Sequence, residues 1–138
     1  MKYSIADAKC IVVKIGSSML VDNKTGRIHR EWLQSLIEDI VECWQRGQRV
    51  VLVSSGAIAL GRQHLQLKTQ VLQLEEKQAS AAVGQIKLAH AYQEILEKEG
   101  ITVAQILLTL DDSENRRRYL NAKNTLETLL NLRAIPVI

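Results

Sequence analysis

Apolar runs too short for helices alternate along this chain with longer stretches whose apolar residues recur every three or four positions. The first run is Ile11-Val12-Val13-Lys14-Ile15. Residues 10–15 therefore read as a strand, too continuously apolar for one face to meet water. Asp22–Arg27 has turn chemistry. From about Arg30 the period becomes helical. Leu33, Leu36, Ile37, Ile40, Val41 and Trp44 share one side, Glu38, Asp39, Glu42 and Arg46 face away, and Gly47 supplies a C-terminal cap.

The second strand, Arg49–Val53, runs into Ser54-Ser55-Gly56-Ala57 and a short helix that fades between Gly61 and Leu65. Residues 66–73 carry no periodic signal and read as a mobile connection. A long helix is expected from Glu75 to Lys98, packing a sheet through Ala79, Ala82, Val83, Ile86 and Ala89, with Gly100 as its cap. Thr102–Leu108 reads as the third strand, and a helix follows from Glu114 or Asn115 to Asn131. Ile135-Pro136-Val137-Ile138 reads as the start or middle of a fourth buried strand. Such a strand normally feeds another turn and helix, so the chain is expected to stop partway through a fold. There are no internal repeats.

Alternating strands and helices of this kind imply an α/β fold, a three-layer αβα sandwich on a mainly parallel sheet with right-handed crossovers. Ligands of such sheets bind beyond the carboxyl ends of the strands. That rule joins two turns distant in sequence, Lys14–Ser18 and Ser54–Ala57. An ammonium in an apolar strand is costly without a partner. Lys14 is therefore either a phosphate ligand beside the open amides of Gly16 and the hydroxyl of Ser17, or an edge lysine snorkelling into solvent. Ser54-Ser55-Gly56 offers donors to a carboxylate or phosphate, or simply caps a helix. Asp111, Asp112 and Glu114, at the same edge, are either helix-start carboxylates, a Mg²⁺ site or a contact for a cationic group.

Composition narrows the picture. The 138 residues suit one domain, 46% hydrophobic and 24% charged, with an aliphatic core because Phe is absent. A net charge of +3 is too mild to imply nucleic acid, and Arg116-Arg117-Arg118 lies among carboxylates that can pair with it. Cys10 and Cys43 fall in apolar patterns without metal spacing and read as reduced core residues. No signal-peptide core and no span of about 20 apolar residues is present, so a cytoplasmic location is expected. His29, His64 and His90 form no triad with a nucleophile, and neither a Walker nor a Gly-x-Gly-x-x-Gly pattern occurs.

With both turns placed, the chain resembles the amino-acid kinase family. Lys14-Ile15-Gly16-Ser17-Ser18 matches that family's Lys-x-Gly-x-Ser pattern. Val51–Ala59 with Gly61-Arg62, Ala81-Ala82-Val83-Gly84-Gln85, Gln105–Thr109, Arg118–Ala122 and Ile135–Ile138 are similar to its later blocks, in order. The Ser-Ser-Gly-Ala turn resembles the members that act on free glutamate. Acetylglutamate and uridylate kinases carry glycine triplets there, and aspartokinases a Ser-Ala form.

The resemblance implies transfer of the γ-phosphoryl of ATP, with Mg²⁺, to the side-chain carboxylate of L-glutamate, the first step toward proline. It implies that Lys14 is catalytic and, with Gly16 and Ser17, binds the phosphates, while Ser55, Gly56 and Ala57 grip glutamate. No residue of this chain is implied as a metal ligand. Proline as feedback inhibitor and a homo-oligomer are further expectations. The family's Asn-Glu-Asn-Asp turn and nucleotide-binding half have no counterpart in these residues. The chain is thus expected to be the glutamate-side part of such a domain, inactive alone. The same residues also suit the kinase part of a bifunctional pyrroline-5-carboxylate synthase, or a non-catalytic remnant that acts as an association module.

Overall fold

Val and Ile crowd their own backbone out of the helical region and favour extended strands, and the first two apolar runs pair accordingly. Strand β1 (Cys10–Ile15) lies parallel to β2 (Arg49–Ser54), with Lys14 opposite Val53 and Ile15 opposite Ser54. In the computed structural model, which describes residues 3–138, the sheet is completed by β3 (Val103–Gln105) and β4 (Ile135–Val137). The order is β1-β2-β4-β3 and every pairing is parallel.

The crossovers decide which face each helix covers. β1 passes through the short α1 (Ser17–Leu20) and α2 (Arg30–Gln45) to β2. β2 passes through α3 (Ala57–His64) and α4 (Leu74–Glu97) to β3. Both steps travel the same way across the sheet, so right-handed crossovers put these helices on one face. There Ile15, Val50, Leu52, Ile135 and Val137 form one apolar cluster with Leu33, Ile37 and Ile40 of α2 and Leu88, Tyr92 and Leu96 of α4. The return to β4 runs through α5 (Leu110–Glu114) and α6 (Arg116–Asn131), so α6 belongs on the opposite face, against β4. The expected three-layer α/β sandwich is present.

Several local expectations need correction. β1 is buried on one face only: Cys10, Val12 and Lys14 look outward, and Val12 is 64% exposed. The reason is position, since β1 is an edge strand and α6 sits over β4, two strands away. Cys10 is accordingly exposed rather than a core residue, whereas Cys43 is half-buried against the core, and both are free thiols. β3 stops at Gln105, leaving Leu107 73% exposed. The final strand is an inner strand, as its apolar run implied. β4 lies inside the sheet, where the Ser54 N–H donates to Ile138 O at 2.9 Å and the Ile106 N–H to Val137 O at 2.9 Å.

The packing face of α4 also differs from the expected alanine stripe. Ile86 is 74% exposed, whereas Ser80, Gly84, Leu88, Ala91, Tyr92 and Ile95 are buried. The small residues serve close contact with α3 rather than with the sheet. A Cβ on Gly61 would stand 1.7 Å from Ser80 O, and one on Gly84 would stand 1.6 Å from Ala57 O. Residues 66–73 are tied down: the Arg62 guanidinium donates to the carbonyls of Leu67 and Thr69, and Leu72 is buried.

Candidate functional site

Beyond the carboxyl ends of β1 and β2 opens a cleft of about 930 Å³. Its walls include Ser17 at the start of α1, the Ser54–Ala57 turn leading into α3, and the turn Asp22–Gly26, with Arg62 and Gln63 of α3 and Ala81 of α4 beside them. The first two are locked together, because the Ser55 N–H donates to Ile15 O at 3.0 Å. Gly56 has φ +112°, and a Cβ there would press on Val21 Cγ2 at 3.2 Å. Glycine is therefore needed both for the backbone and for the fit against α1. No side chain caps α3, so the amides of its first turn are left for another acceptor at the positive end of the helix dipole.

Of the residues singled out from sequence, Ser17, Ser55, Gly56 and Ala57 line this cleft. Lys14 and Gly16 do not. Lys14 stands on the opposite face of β1 from the core residue Ile15, exposed, with no hydrogen bond or ion pair to any described residue. Gly16 has φ −75°, and nothing lies within 4 Å of where a Cβ would be. The fold itself thus makes no demand for glycine there. His29 precedes α2, His64 ends α3, and His90 on α4 lies 3.8 Å from Glu94.

The Asp22–Gly26 turn was legible as a turn but not as a wall of the site. Asp22 Oδ1 accepts from the Lys24 N–H at 2.7 Å and the Thr25 N–H at 2.9 Å. Its neighbour Gly26, at φ +66°, abuts Gln63 so closely that a Cβ would lie 2.4 Å from Gln63 Cβ. The signal was the Asp-Asn-Lys-Thr-Gly spacing of an Asx turn; what it packs on is not local information. The amides of Thr25 and Lys24 hold the Asp22 carboxyl below its usual pKa, and the Thr109 amide and hydroxyl do the same for Asp112. For a lowered folded pKa the contribution is complete above the unfolded carboxylate's value and vanishes as pH falls through the folded value. Urea denaturation is therefore expected to show stability dropping as pH falls below about 4, the ordinary carboxylate range. Asp22→Asn together with Asp112→Asn should flatten that drop; an unchanged pH dependence in the double variant would refute the assignment.

The acidic residues after β3 behave as helix-start carboxylates. Asp112 Oδ2 accepts from the Thr109 N–H at 2.6 Å, and Asp111 pairs with Arg118 at 3.8 Å. Among the described residues no group of three or more His, Cys, Asp or Glu could hold a metal ion. No helix among them is long and apolar enough to cross a membrane.

Residues 9–138 match the Amino acid kinase family. The chain belongs to that family. Among its relatives are a glutamate 5-kinase of Paramagnetospirillum magneticum, 63% identical over 97% of this chain, and one of Brucella ovis, 56% identical over all of it. The chain spans 36% of the length of each. A crystal structure of a protein from Streptococcus mutans aligns with 94% of this chain and 58% of its own length, with TM-score 0.57 at 17% identity, a likeness of fold alone. The amino-acid kinase expectation drawn from the Lys14 and Ser54 turns is thereby met.

Proposed function

We propose that this chain forms the glutamate-side part of a glutamate 5-kinase, and that the nucleotide-binding half corresponds to the remaining length of its relatives. The observation that carries the reading is the convergence of Ser17 with the Ser55-Gly56-Ala57 turn on one cleft, where the first amides of α3 have no acceptor among the described residues. Such a wall suits an anionic amino acid. The name glutamate 5-kinase carried by its relatives supports L-glutamate as that acid.

In this reading Ser55, Gly56 and Ala57 hold L-glutamate with its side-chain carboxylate toward the tip of β1. The carboxylate is ionised at pH 7 and needs no general base. Its oxygen bonds to the γ-phosphorus of ATP, the bridging P–O bond breaks, and ADP leaves. Catalysis of this kind is positioning plus charge neutralisation. Lys14 meets the transferring phosphoryl, and the amides of Gly16 and Ser17 donate to its oxygens. The open space over Gly16 then has a use, since a phosphate can approach the backbone there. The carboxylates of this segment do not suit a magnesium site, so the ion travels with the nucleotide phosphates. Regulation by proline, association of copies and a reducing cytoplasm, which suits the two free thiols, complete the proposal.

The test is hydroxylamine trapping of the acyl phosphate by the complete protein that carries this segment, supplied with MgATP and L-glutamate. Hydroxamate formation is expected with glutamate and not with N-acetylglutamate or aspartate, and its absence with glutamate would overturn the proposal. Ser55→Ala is expected to raise the KM for glutamate about tenfold with little change in kcat, the effect of one lost hydrogen bond to a charged group.

A further inference from the structure

Tyr92 is the largest fully buried side chain of the core, and its hydroxyl reaches the base of the substrate turn. The hydroxyl lies 2.8 Å from Ser54 Oγ, and Ser54 Oγ donates to Ser55 O at 3.2 Å. A serine hydroxyl has one proton. If that proton goes to Ser55 O, the Tyr92 O–H must donate to Ser54. Burial raises the pKa of the phenol, so it stays protonated and able to donate. The peptide after Ser55 is trans, so fixing its carbonyl toward Ser54 fixes the Gly56 N–H on the opposite side. That N–H has no acceptor among the described residues.

Resting on the glutamate reading above, we infer that Tyr92 is a positioning residue: through Ser54 it orients the Ser55–Gly56 peptide whose N–H and neighbours bind the glutamate. Tyr92 touches no substrate itself. The relay runs Tyr92 O–H to Ser54 Oγ, then Ser54 O–H to Ser55 O. At its end stands a peptide plane that Gly56, with φ +112°, would otherwise be free to rotate.

The experiment uses the complete enzyme and steady-state kinetics with each substrate varied. Tyr92→Phe is expected to raise the KM for glutamate about fivefold to tenfold, the effect of one neutral hydrogen bond, with the KM for ATP unchanged. Ser54→Ala should match it, Ser54→Thr should restore a near-normal KM, and the Tyr92→Phe/Ser54→Ala double variant should be no worse than Ser54→Ala alone. Ile95→Val, a core change without a hydroxyl, should lower the Tm and leave the KM alone. A glutamate KM in Tyr92→Phe equal to that of the wild type, or strictly additive effects in the double variant, would overturn the inference while leaving the substrate reading intact. A wild-type enzyme that forms no hydroxamate from glutamate would overturn the substrate reading, and this inference with it.

Discussion

Replacing Lys14 with alanine in the complete enzyme is expected to reduce acyl phosphate formation about a thousandfold, the scale seen when one preorganised electrostatic donor is removed. The Tm should hardly move. Lys14 is exposed and makes no hydrogen bond or ion pair with any described residue, so the folded chain loses nothing with it. An otherwise apolar strand tolerates the unpaired ammonium because β1 is an edge and water reaches its outer face. The exposed position bears out the edge reading of this residue, and its role toward a phosphoryl group belongs to the proposal. Lys14 does snorkel at an edge, and that leaves its charge available to a phosphoryl group. Its place outside the cleft lining fits a division of labour. In the proposed reading glutamate lies on the Ser55 side and the nucleotide on the Lys14 side, and the Ser55 N–H to Ile15 O hydrogen bond ties the two strand ends together. In the proposed role Lys14 acts on the phosphoryl, so kcat should fall while the KM for glutamate stays within about twofold. Near-normal turnover in hydroxylamine trapping, or a glutamate KM raised in proportion to the loss, would refute the role.

What the sequence made legible was chiefly what local chemistry determines. Leu33, Ile37, Ile40 and Val41 lie on the buried side of α2 as their spacing requires, and Gly47 takes φ +90° at its end. The turns after β1 and β2 could be placed at one edge because strands of a parallel α/β sheet all point the same way, a rule that needs no distances. Whatever depended on partners was lost. Ala79, Ala82 and Ile86 mark an apolar face of α4, yet Ser80, Gly84 and Leu88 are the buried residues, because α3 lies on Ser80 and Gly84. The outward face of β1 could not be told from a buried one, since Val12 looks the same in both settings. The Asp22 turn announced its shape through Asp22 and Gly26, but its place beside Gln63 depends on a residue dozens of positions away.

The α3–α4 contact supplies the second large effect: Gly84→Ala is expected to cost about 3 kcal/mol, the upper range for overpacking a close contact, and to lower the Tm of the complete protein by roughly 10 °C. The added methyl would stand 1.6 Å from Ala57 O and 2.8 Å from Gly61 N, both backbone atoms that no rotamer change can move aside. α3 must therefore lift from α4. Since Ala57 is the first residue of α3 and lines the cleft, the substrate turn must shift with it. Stability and glutamate affinity should fall together, in contrast to Lys14→Ala, where turnover falls alone. The same change at Gly16, with an ordinary φ and nothing within 4 Å of the new Cβ, should leave the Tm unaltered. Thermal melts of the three variants, with the glutamate KM of each, separate a glycine needed for packing from one kept open for a ligand. A Gly84→Ala protein that melts with the wild type would show that α3 does not lie on α4 at this distance, and the link from helix packing to substrate turn would go with it.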